Sequence, residues 1–97
     1  MLNKRQILSK LKEIKGNLKK QFKVKDLWLF GSYVKERQHK KSDIDLLVDF
    51  EEGVDFFNLV GLGLFLEEKF HWKVDVVTKR ALREEIRDRV LKEAILI

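Results

Sequence analysis

The chain contains no cysteine and no proline among its 97 residues. Without cysteine it can form neither disulfides nor thiolate metal sites, which fits a cytoplasmic protein. Without proline it has no proline-rich linker, and its length favours one domain over residues 1–97. The longest apolar stretch, residues 56–66, is interrupted by Asn58, Gly61 and Gly63 and is well short of a bilayer span. The basic N-terminus leads into no apolar segment, so we expect neither a secretory signal nor a membrane anchor.

Positive charge is concentrated in residues 1–25, which hold nine Lys or Arg and one acid, Glu13. This basic surface could face nucleic acid, an acidic protein partner or only water. Direct nucleic-acid binding is the weakest of these hypotheses, because no basic–aromatic interleaving or known binding motif accompanies the charge.

Hydrophobic periodicity predicts four helices and three strands. Apolar residues spaced by three and four predict a helix over residues 4–21, with Asn3 as its N-cap: Ile7, Leu11, Ile14, Leu18 and Phe22. Three apolar runs predict strands at residues 27–30, 43–50 and 73–77. The other helices are predicted at residues 32–37, at 55–70 with Asp55 as N-cap, and in a last segment carrying Leu82, Ile86, Val90 and Ala94. For the helix over residues 55–70, the predicted core residues are Phe56, Leu59, Val60, Leu64 and Phe65. The order α-β-α-β-α-β-α indicates an α/β fold.

The most informative residues are two aspartates in the second predicted strand. Asp43 and Asp45 are two positions apart, so their side chains point to the same face, roughly 6–7 Å apart. At an effective dielectric constant near 20, two such charges repel each other by about 2–3 kcal/mol, so we expect a cation between them. Asp75 lies among valines in the third strand. A parallel neighbour reached through a helix would bring it to the same place.

Three carboxylates suit Mg²⁺, which prefers hard oxygen ligands and shares them with phosphate oxygens and water. A single aspartate in a strand is more simply a surface charge, so the prediction depends on the three together. The chemistry that most needs such a site is metal-assisted phosphoryl or nucleotidyl transfer, in which two ions could act together.

Gly31 and Ser32 follow the first predicted strand and supply the complementary half of a site. A glycine there allows a close backbone approach, and the N–H groups of the next turn can hold phosphate oxygens. Ser42, directly before the first aspartate, and Lys35, in the basic loop, are further candidates for nucleotide contact. A lone Gly-Ser pair is weak by itself, since most are ordinary turns; here a strand precedes it and the aspartate pair follows.

The sequence Gly-Ser, then Ser-Asp-Ile-Asp-Leu-Leu-Val, then Val-Asp-Val-Val-Thr resembles the minimal nucleotidyltransferase (MNT) family of the DNA polymerase β superfamily. The resemblance covers nearly the whole chain and implies a small mixed sheet packed with helices. It implies that Gly31 and Ser32 lie at the phosphates of ATP, and that Asp43, Asp45 and Asp75 bind Mg²⁺. By the same resemblance, Asp75 helps to deprotonate the acceptor hydroxyl.

Members of this family are typically encoded beside a helical HEPN protein, as antitoxin and toxin. Some transfer AMP from ATP to a tyrosine of that partner. The resemblance therefore implies an adenylyltransferase that acts on a HEPN toxin.

Glu36 departs from the family pattern, in which many members carry glycine five residues after the first glycine of the motif. A glutamate adopts a positive φ less easily than glycine and adds negative charge near the expected phosphates. An alternative is therefore an antitoxin that is catalytically weak or inactive and neutralises its toxin by binding alone. No motif specifies the nucleotide base, the acceptor, the number of AMP groups or the oligomeric state, and both homo- and hetero-oligomers stay open.

Overall fold

A four-stranded mixed sheet organises the structure, a computed structural model that describes residues 2–97. In chain order the elements are α1 (Lys4–Phe22), β1 (Val24–Phe30), β2 (Ile44–Phe50), α2 (Phe56–Phe70), β3 (Val74–Thr78), a 3₁₀ turn (Lys79–Ala81), α3 (Glu84–Glu93) and β4 (Ile95–Leu96). The strand order is β3-β2-β1-β4. β2 and β3 are parallel, whereas β1 is antiparallel to both β2 and β4. The predicted α/β fold with a small mixed sheet is confirmed.

α1 begins at the predicted N-cap, Asn3, which forms a capping box with Gln6. The Asn3 side chain accepts a hydrogen bond from the Gln6 N–H at 2.9 Å, and the Gln6 side chain accepts one from the Asn3 N–H at 3.0 Å. All five predicted apolar residues of the helix are buried. The helix ends where Lys23 adopts a left-handed backbone with φ of 56°.

The two faces of the sheet have different neighbours. Parallel pairing of β2 with β3 needs a long crossover, and α2 provides it. α1 and α2 pack against one face, where Leu29, Leu46 and Val48 are fully buried. Because side chains alternate along a strand, the aspartates of β2 point to the other face. The fold therefore keeps the acidic residues away from the main core.

The predicted orientation of α2 is wrong in part. Its buried residues are Leu62, Leu66 and Phe70, whereas Leu59 and Phe65 are partly buried. The other three predicted core residues are exposed, as is Phe57, with exposed fractions of 71% for Phe56, 82% for Phe57, 43% for Val60 and 63% for Leu64. No charged residue occurs from Phe56 to Leu66, so the sequence gives little indication of which side of this helix is buried. In residues 2–97, no helix is both long and apolar enough to cross a membrane.

Two further elements differ from the prediction. Residues 32–37 form hydrogen-bonded turns instead of a short helix, with the Lys35 N–H bonded to the Gly31 carbonyl and the Arg37 N–H to the Ser32 carbonyl. The apolar tail after α3 forms β4, and the buried Ile97 donates its N–H to the Leu27 carbonyl at 2.8 Å. The tail therefore completes the sheet beside β1.

Candidate active site

Asp45 and Asp75 lie side by side on neighbouring strands. The parallel register pairs them directly, so their side chains project from the same face of the sheet, on strands about 4.8 Å apart. Asp43 lies just before β2, two residues from Asp45. The half-buried Asp45 is therefore the middle one of the three, and Asp75 is the exposed one.

The electrostatics of Asp45 agree with this arrangement. Burial, the charge of Asp75 and the charge of Asp43, in that order of size, raise the pKa of Asp45 from 3.8 to about 6. Within residues 2–97, none of these three carboxylates forms a salt bridge with a Lys, Arg or His. The site thus holds an uncompensated negative charge, which a cation would neutralise.

Gly31 brings the backbone of the turn after β1 directly against this carboxylate. A Cβ built on Gly31 would overlap the Asp45 carboxylate, and its φ of 81° is unfavourable for any other residue. β1 and β2 are antiparallel, and Phe30, the last residue of β1, pairs with Asp45. The Gly-Ser turn and the acidic residues therefore form one site.

Three hydrogen bonds position the strand ends that carry the aspartates. The Trp72 indole N–H donates to the Ser42 carbonyl at 2.7 Å, and the Ile44 N–H donates to the Lys73 carbonyl at 3.0 Å. The Glu67 carboxylate accepts the Val74 N–H at 3.1 Å. We did not identify Trp72 or Glu67 from the sequence, because each acts on residues that only the fold brings near it.

The predicted nucleotide-contacting residues differ in how they are engaged. Within residues 2–97, the N–H of the partly exposed Ser32 donates no hydrogen bond, so it is available to a phosphate oxygen. The Ser42 hydroxyl instead accepts the His39 N–H at 2.8 Å and shapes its own loop. Lys35 Nζ lies 3.0 Å from a carboxylate oxygen of Glu93 in α3. The Ser32 N–H is thus free for a ligand, whereas Ser42 and Lys35 have protein partners.

Tyr33 is fully buried, so its ring is not available for stacking on a base. Its hydroxyl has no hydrogen-bond partner in the part of the chain that the structure describes. Burial and, to a smaller extent, the charge of Asp43 raise the pKa of this hydroxyl. Tyr33 therefore packs the turn against the core close to Asp43.

Glu36 adopts a left-handed backbone conformation, with φ of 55°, although it has a side chain. Its side chain is exposed and borders a shallow groove beside Lys4, Arg5 and Lys12 of α1. The turn thus keeps a positive φ at this position, and Glu36 adopts it at a cost of about 1 kcal/mol.

We expect Glu36→Gly to raise the free energy of unfolding by about 0.5–1 kcal/mol, because glycine removes this cost but loses more entropy on folding. Urea denaturation measures the change. The matched control is Arg37→Gly, since Arg37 is exposed in the same turn and has no positive φ. The control should be destabilised, and equal destabilisation of both variants would contradict the prediction.

The carboxylates do not form a closed metal cage by themselves. In residues 2–97, no three Asp, Glu, His or Cys side chains are arranged to hold a metal ion together. Mg²⁺ does not need such a cage, because it commonly binds one or two carboxylates and takes its other ligands from substrate phosphates and water. Oxygen ligands, excess negative charge and the missing Cβ of Gly31 fit Mg²⁺ bound together with a nucleotide.

Comparison with known proteins identifies the family of the chain. The model of the nucleotidyltransferase domain family matches residues 11–97. The chain belongs to the nucleotidyltransferase family. It is 36% identical over 97 residues to the protein adenylyltransferase MntA of Thermococcus cleftensis, a match that covers 100% of this chain and 98% of that protein.

Solved structures place the chain among the minimal members of this family. A structure described as a minimal nucleotidyltransferase superposes with a TM-score of 0.85 at 31% identity, covering 97% of this chain and 95% of the other. One chain from a complex of a tri-AMPylated HEPN toxin of Shewanella oneidensis with an MNT antitoxin superposes with a TM-score of 0.65 at 26% identity. That match covers 94% of this chain and 70% of the other. The predicted family is therefore confirmed.

Proposed function

We propose that this protein is a Mg²⁺-dependent adenylyltransferase that moves AMP from ATP to a tyrosine hydroxyl of a partner HEPN toxin, and so acts as an antitoxin. The observation that carries the proposal is the pairing of Asp45 with Asp75 beside the backbone of Gly31. This arrangement supports a phosphate-binding turn and a cation-binding carboxylate cluster in direct contact. Adenylyl transfer requires both.

Asp43, Asp45 and Asp75 are the residues that would hold Mg²⁺, with two ions as the expected number. Bound there, the metal would neutralise the phosphates and the leaving pyrophosphate and activate the attacking hydroxyl. The N–H of the partly exposed Ser32, which no group of residues 2–97 accepts, would help to orient the triphosphate. Positioning and charge neutralisation supply most of the rate enhancement.

The acceptor oxygen attacks the α-phosphorus of ATP, forming a new P–O bond, and the bond from that phosphorus to the bridging oxygen breaks. Pyrophosphate leaves, and the hydroxyl proton passes to Asp75. Asp75 suits this role because it is the exposed member of the three, on an outer strand that a partner can approach.

The alternative, an antitoxin that acts by binding alone, rested on Glu36. The left-handed backbone at Glu36 weakens this alternative, because the turn keeps a conformation that glycine favours. The exposed Glu36 side chain borders a groove with residues of α1 rather than with Asp45. Glu36 therefore gives little reason to expect weak nucleotide binding.

The test is transfer of label from ATP radiolabelled at the α-phosphate to a purified HEPN toxin, in the presence of Mg²⁺. We expect a labelled partner whose modified residue, located by mass spectrometry, is a tyrosine. Asp43→Asn should remove the labelling. Asp26→Asn should retain it, because Asp26 lies in β1 and pairs with Asp49, at the end of these strands away from Asp45. Toxin neutralisation without any labelling would establish the binding-only alternative instead.

A further inference from the structure

A groove of about 260 Å³ lies beside Gly31, between the turn after β1 and α3. Its walls come from two parts of the chain that are distant in sequence. The turn side contributes Phe30, Gly31 and Lys35, and the helix side contributes Ile86, Arg89, Val90 and Glu93. We call this the α3 groove. Because Gly31 belongs to both, the α3 groove borders the candidate active site.

The face of α3 that lines this groove is not covered by other residues. Residues 86, 89, 90 and 93 are spaced as neighbours on one face of a helix. No residue of α3 is buried, and Ile86 is 44% exposed. The apolar positions of this amphipathic helix therefore line an open groove rather than fill the core.

Of the three charged residues that line the α3 groove, two form an ion pair with each other and the third, Arg89, has no ion-pair partner in residues 2–97. The ion pair of Lys35 with Glu93 connects the turn to the helix and neutralises both charges. Arg89 has no carboxylate within 4.0 Å anywhere in the part of the chain that the structure describes. A planar guanidinium next to apolar side chains is suited to stacking on a flat aromatic ligand.

We propose that the α3 groove holds the base and ribose of the nucleotide whose phosphates lie at the Gly31-Ser32 turn, with Arg89 stacked on the base beside Ile86 and Val90. This inference rests on the proposed function and names residues for the part of the substrate that the sequence left unassigned. Pockets for whole drug-sized ligands measure about 300–1,000 Å³, so a groove of about 260 Å³ fits the nucleoside part alone. The triphosphate would extend over the turn toward the aspartates.

The experiment compares two ligands that share their phosphates but differ in the nucleoside. Isothermal titration calorimetry with Mg²⁺ measures binding of AMP-PNP and of inorganic tripolyphosphate to the full chain. We expect Arg89→Ala to weaken AMP-PNP binding about fivefold, the lower end of the effect of losing one stacking contact, and to leave tripolyphosphate binding unchanged. Arg89→Lys, which keeps the charge without the planar group, should lose most of the same affinity.

Lys92→Ala is the matched control, because Lys92 is an exposed cation of the same helix that does not line the α3 groove. It should leave the binding of both ligands unchanged. Equal weakening of AMP-PNP and tripolyphosphate by Arg89→Ala would assign Arg89 to the phosphates and overturn the proposal, as would unchanged AMP-PNP binding. Wild-type protein that binds neither ligand would overturn the proposed function itself, which is a different result.

Discussion

We expect Asp45→Asn to reduce AMP transfer by about 10³-fold or more and, at the same time, to stabilise the folded protein at neutral pH. Transfer is lost because the central carboxylate of the proposed metal site is removed. Stability rises because the same carboxylate is half-buried and repelled by Asp75 and Asp43. The two effects have opposite signs, which is typical of a residue retained for chemistry rather than for folding.

The sign of the stability effect follows from proton binding. The pKa of Asp45 is about 6 in the folded protein and 3.8 in the unfolded chain, so between these values the folded state binds more protons. Stability contributed by this group is therefore fully present below pH 3.8 and is lost as the pH rises to about 6. For a fully buried group, this pKa difference corresponds to a change of ~3 kcal/mol in the free energy of unfolding. Because Asp45 is only half-buried, solvent screening reduces the change to ~1–2 kcal/mol.

Urea denaturation of wild type and Asp45→Asn at pH 4 and pH 7.5 measures this difference. The two proteins should have similar stability at pH 4, and the variant should be more stable by ~1–2 kcal/mol at pH 7.5. Millimolar Mg²⁺ should stabilise the wild type alone. Asp49→Asn is the matched control, because Asp49 lies four residues further along the same strand on the same face. If Asp45→Asn retains transfer activity, the proposed role of Asp45 is wrong.

Gly31→Ala should disable the site through geometry rather than charge. The new methyl group would overlap the Asp45 carboxylate and would also force alanine into a positive φ. We expect the free energy of unfolding to fall by about 1–3 kcal/mol because of the overlap and by about 1 kcal/mol because of the backbone conformation. Transfer should fall by about 100-fold, since a displacement near 1 Å is enough for such a loss.

Gly53→Ala is the matched control, because it has the cost of the positive φ without the cost of the overlap. Gly53 has almost the same φ, 83°, but a Cβ there would meet no atom within 4 Å. The free energy of unfolding of this control should therefore fall by only about 1 kcal/mol, and its activity should be kept. Equal losses of stability and activity in the two variants would show that the contact of Gly31 with Asp45 has no special role. Calorimetric titration with AMP-PNP gives a second readout that does not depend on turnover.

Local patterns in the sequence predicted much of this site. Alternation along β2 placed Asp43 and Asp45 on one face, and a helix between two strands indicated the parallel pairing that brings Asp75 beside Asp45. The cap of α1 at Asn3 and the turn at Gly31 are likewise set by residues close in sequence.

The features that the sequence did not predict depend on long-range contacts or on patterns that are too short. Trp72 and Glu67 act through hydrogen bonds to residues 30 and 7 positions away. The pairing of Lys35 with Glu93 joins the two sides of the α3 groove across most of the chain. A two-residue strand such as β4 is too short to show alternation, and α2 is too apolar for its periodicity to identify the buried side.

β3 has a strand neighbour on one side only, so in residues 2–97 its other backbone edge is open to a strand from another molecule. Its sequence, Val-Asp-Val-Val-Thr, is short and rich in β-branched residues, a composition that favours such association. The exposed charge of Asp75 opposes it, because a like-charged strand docking there would bring two carboxylates together. We therefore expect neutral Asp75 variants to associate more readily through this edge, so their activity has to be measured after aggregates are removed.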